Sequence, residues 1–340
     1  MILNGIQASA TGYPLTVLLG KTFGEAGSRY LIASTTAVFQ LAQSAVQTVV
    51  CAASICASLS VFGIQIPFWV SAILCSAAMT LTAVYGYDSM KLLGYVAVPF
   101  LAITCLWACI RSGTAYGWSN VWAYRPAQPM SLFDGLGVVI GGFALGTLTT
   151  TNLTRFAKSP KAVTISSLAG IVPTAIIIMG MGGLMSITAG TYDLTEIFVK
   201  LDLPLVGMLS LLLATWTTNT TNFYMSGLNF VRLFNLPEKK RPLVTALACT
   251  IATIMTIMGI MSHFSQLMTI FSKIFPALCG IMIADYWGVG RGKPENWGML
   301  PGVNWVGVAA WAIGAGVGLF VNFFSPAFNS IAVGFVAYLV

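Results

Sequence analysis

Residues 211–228 read Leu-Leu-Leu-Ala-Thr-Trp-Thr-Thr-Asn-Thr-Thr-Asn-Phe-Tyr-Met-Ser-Gly-Leu, so Thr217, Thr218, Asn219, Thr220, Thr221 and Asn222 fall inside an apolar segment long enough to cross a bilayer. Hydrocarbon cannot hydrogen-bond to such groups, so they must face other helices, a wet cavity or a ligand. On a helix, Ala214, Thr217 and Thr218 stand at i, i+3 and i+4 and share one face. Their two hydroxyls, with a carbonyl that the small Ala214 leaves uncovered, make an all-oxygen cluster suited to a hard monovalent cation. The competing reading is that threonine and asparagine here only join helices by hydrogen bonds. Polar groups in this number inside a span also mark pathways.

Three other places carry usable chemistry. Gln40 and Gln43, three residues apart, could offer amide donors and acceptors to the edge of a heterocycle; with Gln47 they could equally form a plain polar seam. Residues 138–156 hold Gly141, Gly142 and Gly146 followed by five threonines and Asn152, a composition that weakens helix continuity in mid-membrane, as in transporters that bind substrate at a broken helix. Close packing through small residues is the alternative there. Lys273 lies well inside a span just before Pro276, where a buried ammonium is expensive and a neutralisable one could carry a proton. His263 has no ligand-spaced partner, and the seven cysteines show no CxxC spacing, so they read as reduced packing residues.

The elements that must hold these residues are membrane helices. The 340 residues are 57% hydrophobic and only 7% charged, with a mean hydropathy of +0.86, against about 25% charge in a soluble domain. Apolar runs predict spans over residues 30–59, 67–85, 90–110, 132–153, 162–187, 203–231, 243–261, 267–287, 303–320 and 326–340, after an initial half-span over 1–10. Residues 11–29 read as a loop. The expected class is an all-α polytopic membrane protein with one integral domain over 1–340. The net charge of +7 sits singly or in small groups on short connections, which argues for orientation rather than nucleic-acid binding. Lys21, Arg29, Lys91, Arg155, Lys158, Lys161, Arg232, Lys239, Lys240, Arg241, Arg291 and Lys293 fall on one side, and Arg111, Arg125 and Lys200 on the other, so the first side is cytoplasmic.

Four motifs in order, Thr154-Arg155-Phe156, Trp216-Thr-Thr-Asn219 with Tyr224-Met-Ser-Gly-Leu228, Ile283-Ala-Asp285-Tyr286 and Val303-Asn-Trp-Val306, resemble the nucleobase:cation symporter family one, and within it the bacterial cytosine permeases. The resemblance implies a leucine-transporter-type inverted-repeat fold, with about 10–11 spans of a normal twelve in this chain. By the same resemblance, the first helix and half of the second are expected to be absent. It makes Thr217 and Thr218 sodium-ligating hydroxyls with the Ala214 carbonyl beside them. It also places Gln40, Gly142 and Phe143 at the base, with Gln43, Gly146 and Asn219 as further substrate-facing candidates. Two departures bear on the substrate. Gln43 stands where the cytosine permeases have a stacking tryptophan, and Ala214 where they have an asparagine, which puts cytosine itself in doubt.

The expected function is import of a nucleobase-like heterocycle by sodium-coupled alternating access across the cytoplasmic (inner) membrane, with sodium as coupling ion and no other cofactor. One alternative couples to protons through Lys273. Another is a shortened membrane protein that does not transport. An enzyme is the least favoured class, because one histidine, no HExxH and no intramembrane carboxylate pair leave little for acid–base or metal chemistry.

Overall fold

The computed structural model describes the chain from Met1 to Val340 except residues 127, 128, 134, 137, 138, 142, 145, 264, 265, 267 and 322. The chain opens with α1 (Ile2–Thr11) and α2 (Leu15–Thr22). A one-turn α3 (Gly24–Ala26) continues through a π-helical turn at Gly27–Ile32 into α4 (Ala33–Ser60), so Gly24–Ser60 is one unbroken span. Next come α5 (Phe68–Tyr85) and α6 (Tyr87–Tyr116), divided by Gly86, whose φ of +86° strains any residue with a Cβ. The short α7 (Ser119–Ala123) precedes α8 (Leu132–Thr154). After it, α9 (Pro160–Ser166) runs through a second π turn into α10 (Val172–Ala189), with α11 (Leu194–Lys200) beyond. The chain finishes with α12 (Pro204–Leu233), α13 (Arg241–Ile257), α14 (Met261–Ile283) with a third π turn at Ala284–Val289, α15 (Trp305–Phe320) and α16 (Pro326–Leu339).

Each predicted span has its helix. Among the described residues, six segments are long and apolar enough to cross a membrane, and α15 and α16 are shorter apolar helices. At 30 residues α12 has the length, but its run of threonines and asparagines lowers its hydropathy. Helix starts are set locally: Ser159, Asp193, Asn304 and Ser325 each accept a hydrogen bond from a first-turn N–H.

Two expectations are corrected. Residues 11–29 are not an open loop, since α2 and α3 fill most of the stretch. Leu15, Leu18 and Leu19 of α2 are buried on one face, and the Leu15 N–H, which the helix itself cannot satisfy, donates to Asn152 Oδ1 of α8 at 2.8 Å. Nor do the glycines break α8, which is helical from Leu132 to Thr154. Gly141 instead allows close approach of α14: a Cβ there would lie 3.2 Å from Ser272 Cβ. Nearby, Cys279 of α14 makes a thiol contact to the Ala144 carbonyl at 3.4 Å.

Packing gathers the helices into groups. α12 lies along α4, and α5 and α13 pack beside both. α1 lies against α8 and α9, while α14, α15 and α16 form a third group. The third group is close-packed because Gly280 lets α16 approach so nearly that a Cβ would stand 2.1 Å from the Ile331 carbonyl oxygen.

Candidate cation and substrate site

Thr215, Asn219, Thr220, Ser226 and Asn229 of α12 are buried, as are Thr36, Gln40, Ser44 and Thr48 of α4, four residues apart along one stripe. The two stripes interlock. The Asn219 amide donates to the Ser44 carbonyl at 3.2 Å and to Thr48 Oγ1 at 3.0 Å, and Asn229 Nδ2 donates to Gln40 Oε1 at 3.0 Å. Trp216 Nε1 donates to Thr82 Oγ1 of α5 at 3.0 Å, and Thr256 of α13 donates to the Ala45 carbonyl at 2.9 Å. Such bonds satisfy groups that lipid would leave bare. The stripe on α4 runs through positions 36, 40, 44 and 48, so Gln43 and Gln47 lie off it and are only half-buried. Four polar atoms of these seam residues have no partner: Gln40 Nε2, Asn219 Oδ1, Thr220 Oγ1 and Ser226 Oγ.

The other face of α12 carries the proposed cation ligands. Ala214 and Thr217 are half-buried and Thr218 is exposed. Thr217 Oγ1 donates to the Ala214 carbonyl at 2.9 Å and Thr218 Oγ1 donates to the same oxygen at 3.0 Å. Both hydroxyls thus lie within hydrogen-bond distance of one carbonyl. With the hydroxyl protons turned away, these three oxygens are hard donors of the type a hard cation takes. Other helices would have to complete its shell.

The remaining candidates are spread out. Phe143 of α8 is 45% exposed. The Gly146 carbonyl accepts from Thr150 Oγ1 at 2.6 Å, and Gly142 lies outside the described residues. Lys273 of α14 is half-buried; its carbonyl accepts from Ser330 Oγ of α16 at 3.1 Å, and no described contact joins its ammonium to the α12 hydroxyls. Three aromatic rings that the sequence reading did not single out, Phe39 of α4 with Phe271 and Phe275 of α14, pack with centroids 4.7–5.3 Å apart next to Gln40 in the chain. Their signal was the spacing of Phe271 and Phe275 by one helical turn.

Other charged groups sit at the helix ends. Lys21 of α2 pairs with Asp285 at 3.3 Å, with side chains only 15% and 2% exposed, and Tyr338 of α16 donates to the same carboxylate oxygen at 3.1 Å. At the same end Arg29 donates to the Leu233 carbonyl at 3.2 Å. At the opposite end the exposed pair Lys200–Glu196 spans 2.9 Å, and the hydrogen bond from Lys200 holds the Glu196 carboxyl below its usual range.

A bundle of spanning helices with one buried polar seam and a second helix face whose hydroxyls bond only to their own backbone is the architecture of a polytopic membrane protein. The chain belongs to the family of permeases for cytosine/purines, uracil, thiamine and allantoin, which it matches over residues 1–340. It is 27% identical over 271 residues to the cytosine permease of Escherichia coli strain K12, and equally so to that of strain O157:H7, covering 77% of this chain and 62% of the relatives' length. The chain thus spans less than two thirds of the curated relatives it matches. In fold it is similar to Mhp1 in an inward-facing conformation, with a TM-score of 0.80 at 20% identity over 99% of this chain and 79% of the other. Mhp1, a nucleobase-cation-symport-1 family transporter, in a closed conformation with bromovinylhydantoin bound gives a TM-score of 0.81 at 20% identity, covering 99% and 80%. The expected leucine-transporter-type all-α fold is therefore the fold of this chain.

Proposed function

We propose that the chain is the core of a secondary active transporter of the cytoplasmic membrane that imports a nucleobase-like nitrogenous heterocycle together with sodium. The observation that carries the reading is the convergence of the Thr217 and Thr218 hydroxyls on the Ala214 carbonyl, on the face of α12 that packing leaves open. A cation gripped there couples to transport if it binds one of the two access states more tightly, since only differential affinity shifts their populations. The unpartnered amide donor of Gln40 supports a role in reading an acceptor on the ring, with Gln43, Phe143, Gly142 and Gly146 as further substrate-facing candidates, whereas the Asn219 amide is taken up by α4. Uptake of labelled pyrimidines, purines and hydantoins into vesicles, with and without a sodium gradient, tests it. Thr217→Ala combined with Thr218→Ala abolishes sodium stimulation if the reading holds, and unchanged stimulation removes it.

A second reading replaces sodium with a proton on Lys273. It is favoured by a half-buried ammonium that has no carboxylate partner among the described residues. Uptake that follows pH, ignores sodium and is lost in Lys273→Ala selects it.

A further inference from the structure

The motif Thr154-Arg155-Phe156 has no part in the site above, yet it ends in an unusual arrangement. Just past α8, Arg155 donates from its terminal nitrogen to the Tyr224 hydroxyl of α12 at 3.4 Å and lies 4.5 Å from the centroid of its own neighbour Phe156. Arg241, the first residue of α13, places its guanidinium 4.7 Å from the centroid of the same Tyr224 ring. Two cations from different helices therefore converge on one phenol. Arg155 Nε and Arg241 Nη1 are both buried and have no hydrogen-bond partner. No carboxylate answers them: the ion pairs among the described residues are Lys21–Asp285 and Lys200–Glu196. Asp88, in the first turn of α6 near Gly86, is exposed and pairs with neither arginine.

The surroundings are shaped as well as charged. Tyr87 stacks on Phe156 at 4.7 Å, forming an aromatic wall. Arg241 closes over Gly86, where a Cβ would come 3.2 Å from Nη2. Buried guanidinium N–H groups without acceptors are costly, and guanidinium donors are the groups that phosphate oxygens pair with best.

We propose that Arg155 and Arg241, converging on Tyr224, form a binding site for a phosphate-type anion at the basic-residue-rich end of α8, α12 and α13. The phosphate accepts from Arg155 Nε and Arg241 Nη1, and it ties α8, which packs with α1 and α9, to the α4, α5, α12 and α13 group. A phospholipid headgroup and free phosphate share this chemistry, so the test separates them.

Thermal unfolding of the purified chain in detergent is followed against inorganic phosphate, with chloride at matched ionic strength, and in mixed micelles of phosphatidylglycerol or phosphatidylcholine. The native chain is expected to gain thermal stability with phosphate or phosphatidylglycerol over its control. In the double variant Arg155→Gln with Arg241→Gln the apparent dissociation constant rises roughly tenfold or more. A paired change at the exposed Lys158→Gln and Lys161→Gln leaves it unaltered. A response to phosphatidylglycerol alone assigns the lipid, and a response to inorganic phosphate alone assigns the soluble anion. Absence of both responses in the native chain, or equal responses in native and arginine variants, overturns the proposal. Should the double variant fail to fold, Arg241→Gln alone, which leaves the Arg155–Tyr224 hydrogen bond intact, is read the same way.

Discussion

The two faces of α12 carry similar residues and put them to different use. On the α4 side, Asn219 and Asn229 spend their amide protons on another helix. On the open side, Thr217 and Thr218 fold back onto their own helix at the Ala214 carbonyl. A hydroxyl bonded to its own i−3 or i−4 carbonyl gives up that bond for little, because the helix's own backbone bond to that carbonyl remains. An amide that bridges two helices cannot leave without exposing both. The lesson is that partner, more than residue type, separates a structural polar group from one available to a ligand.

The sharpest way to break this comparison lies in the most enclosed polar pair. Lys21→Met strands the Asp285 carboxylate, 2% exposed, and is expected to destabilise the protein by about 3–5 kcal/mol. A small shift in thermal midpoint would show that enclosure alone does not make a polar group structural. Next in size is Asn219→Ala, which removes two inter-helix bonds and leaves the Ser44 carbonyl and Thr48 hydroxyl short of a donor. A loss of about 1–3 kcal/mol in denaturant or heat unfolding is expected. On the open face, Thr217→Ala with Thr218→Ala is expected to change stability by no more than about 0.5 kcal/mol while sodium stimulation of uptake disappears. Smallest of all is Lys200→Met. Glu196 is depressed by Lys200, so its contribution is present above the unfolded carboxylate value and fades as pH falls through the folded one. Both partners are exposed, so the melting temperature is expected to stay flat across that range in native and variant protein.

Much of the architecture is legible in the sequence because hydropathy fixes where helices cross. The four motifs fix the family, and α12 announces itself by six consecutive polar positions from Thr217 to Asn222. Phase was harder. Gln40, Gln43 and Gln47 look like a stripe, but Thr36, Gln40, Ser44 and Thr48 are the residues that turn inward. Serine and threonine satisfy themselves on the preceding turn, as Ser44 does on the Gln40 carbonyl at 2.7 Å, and so they read as neutral filler. Continuity of α8 was also misjudged, since three glycines signal either weakness or close packing and only the position of Ser272 on α14 decides. The helix at Leu15–Thr22 was missed for a different reason. Its eight residues are too few to span, and its first N–H is satisfied by Asn152, a residue 137 positions away.

The junction of α2 and α3, from Gly20 to Ala26, is tied to residues 300–304 by backbone hydrogen bonds. Leu300 N–H donates to the Gly20 carbonyl, Glu25 and Ala26 donate to the Leu300 and Gly302 carbonyls, and Asn304 donates back to Phe23. Ribosomal synthesis delivers these partners some 280 residues apart. Early in translation, therefore, the segment around Lys21 has neither its backbone partners nor Asp285, and it must wait at the membrane surface until the penultimate span emerges. Completion of this clasp is a late event in assembly, so an arrested chain ending before residue 300 is expected to leave its first thirty residues open to protease while its middle helices are already inserted.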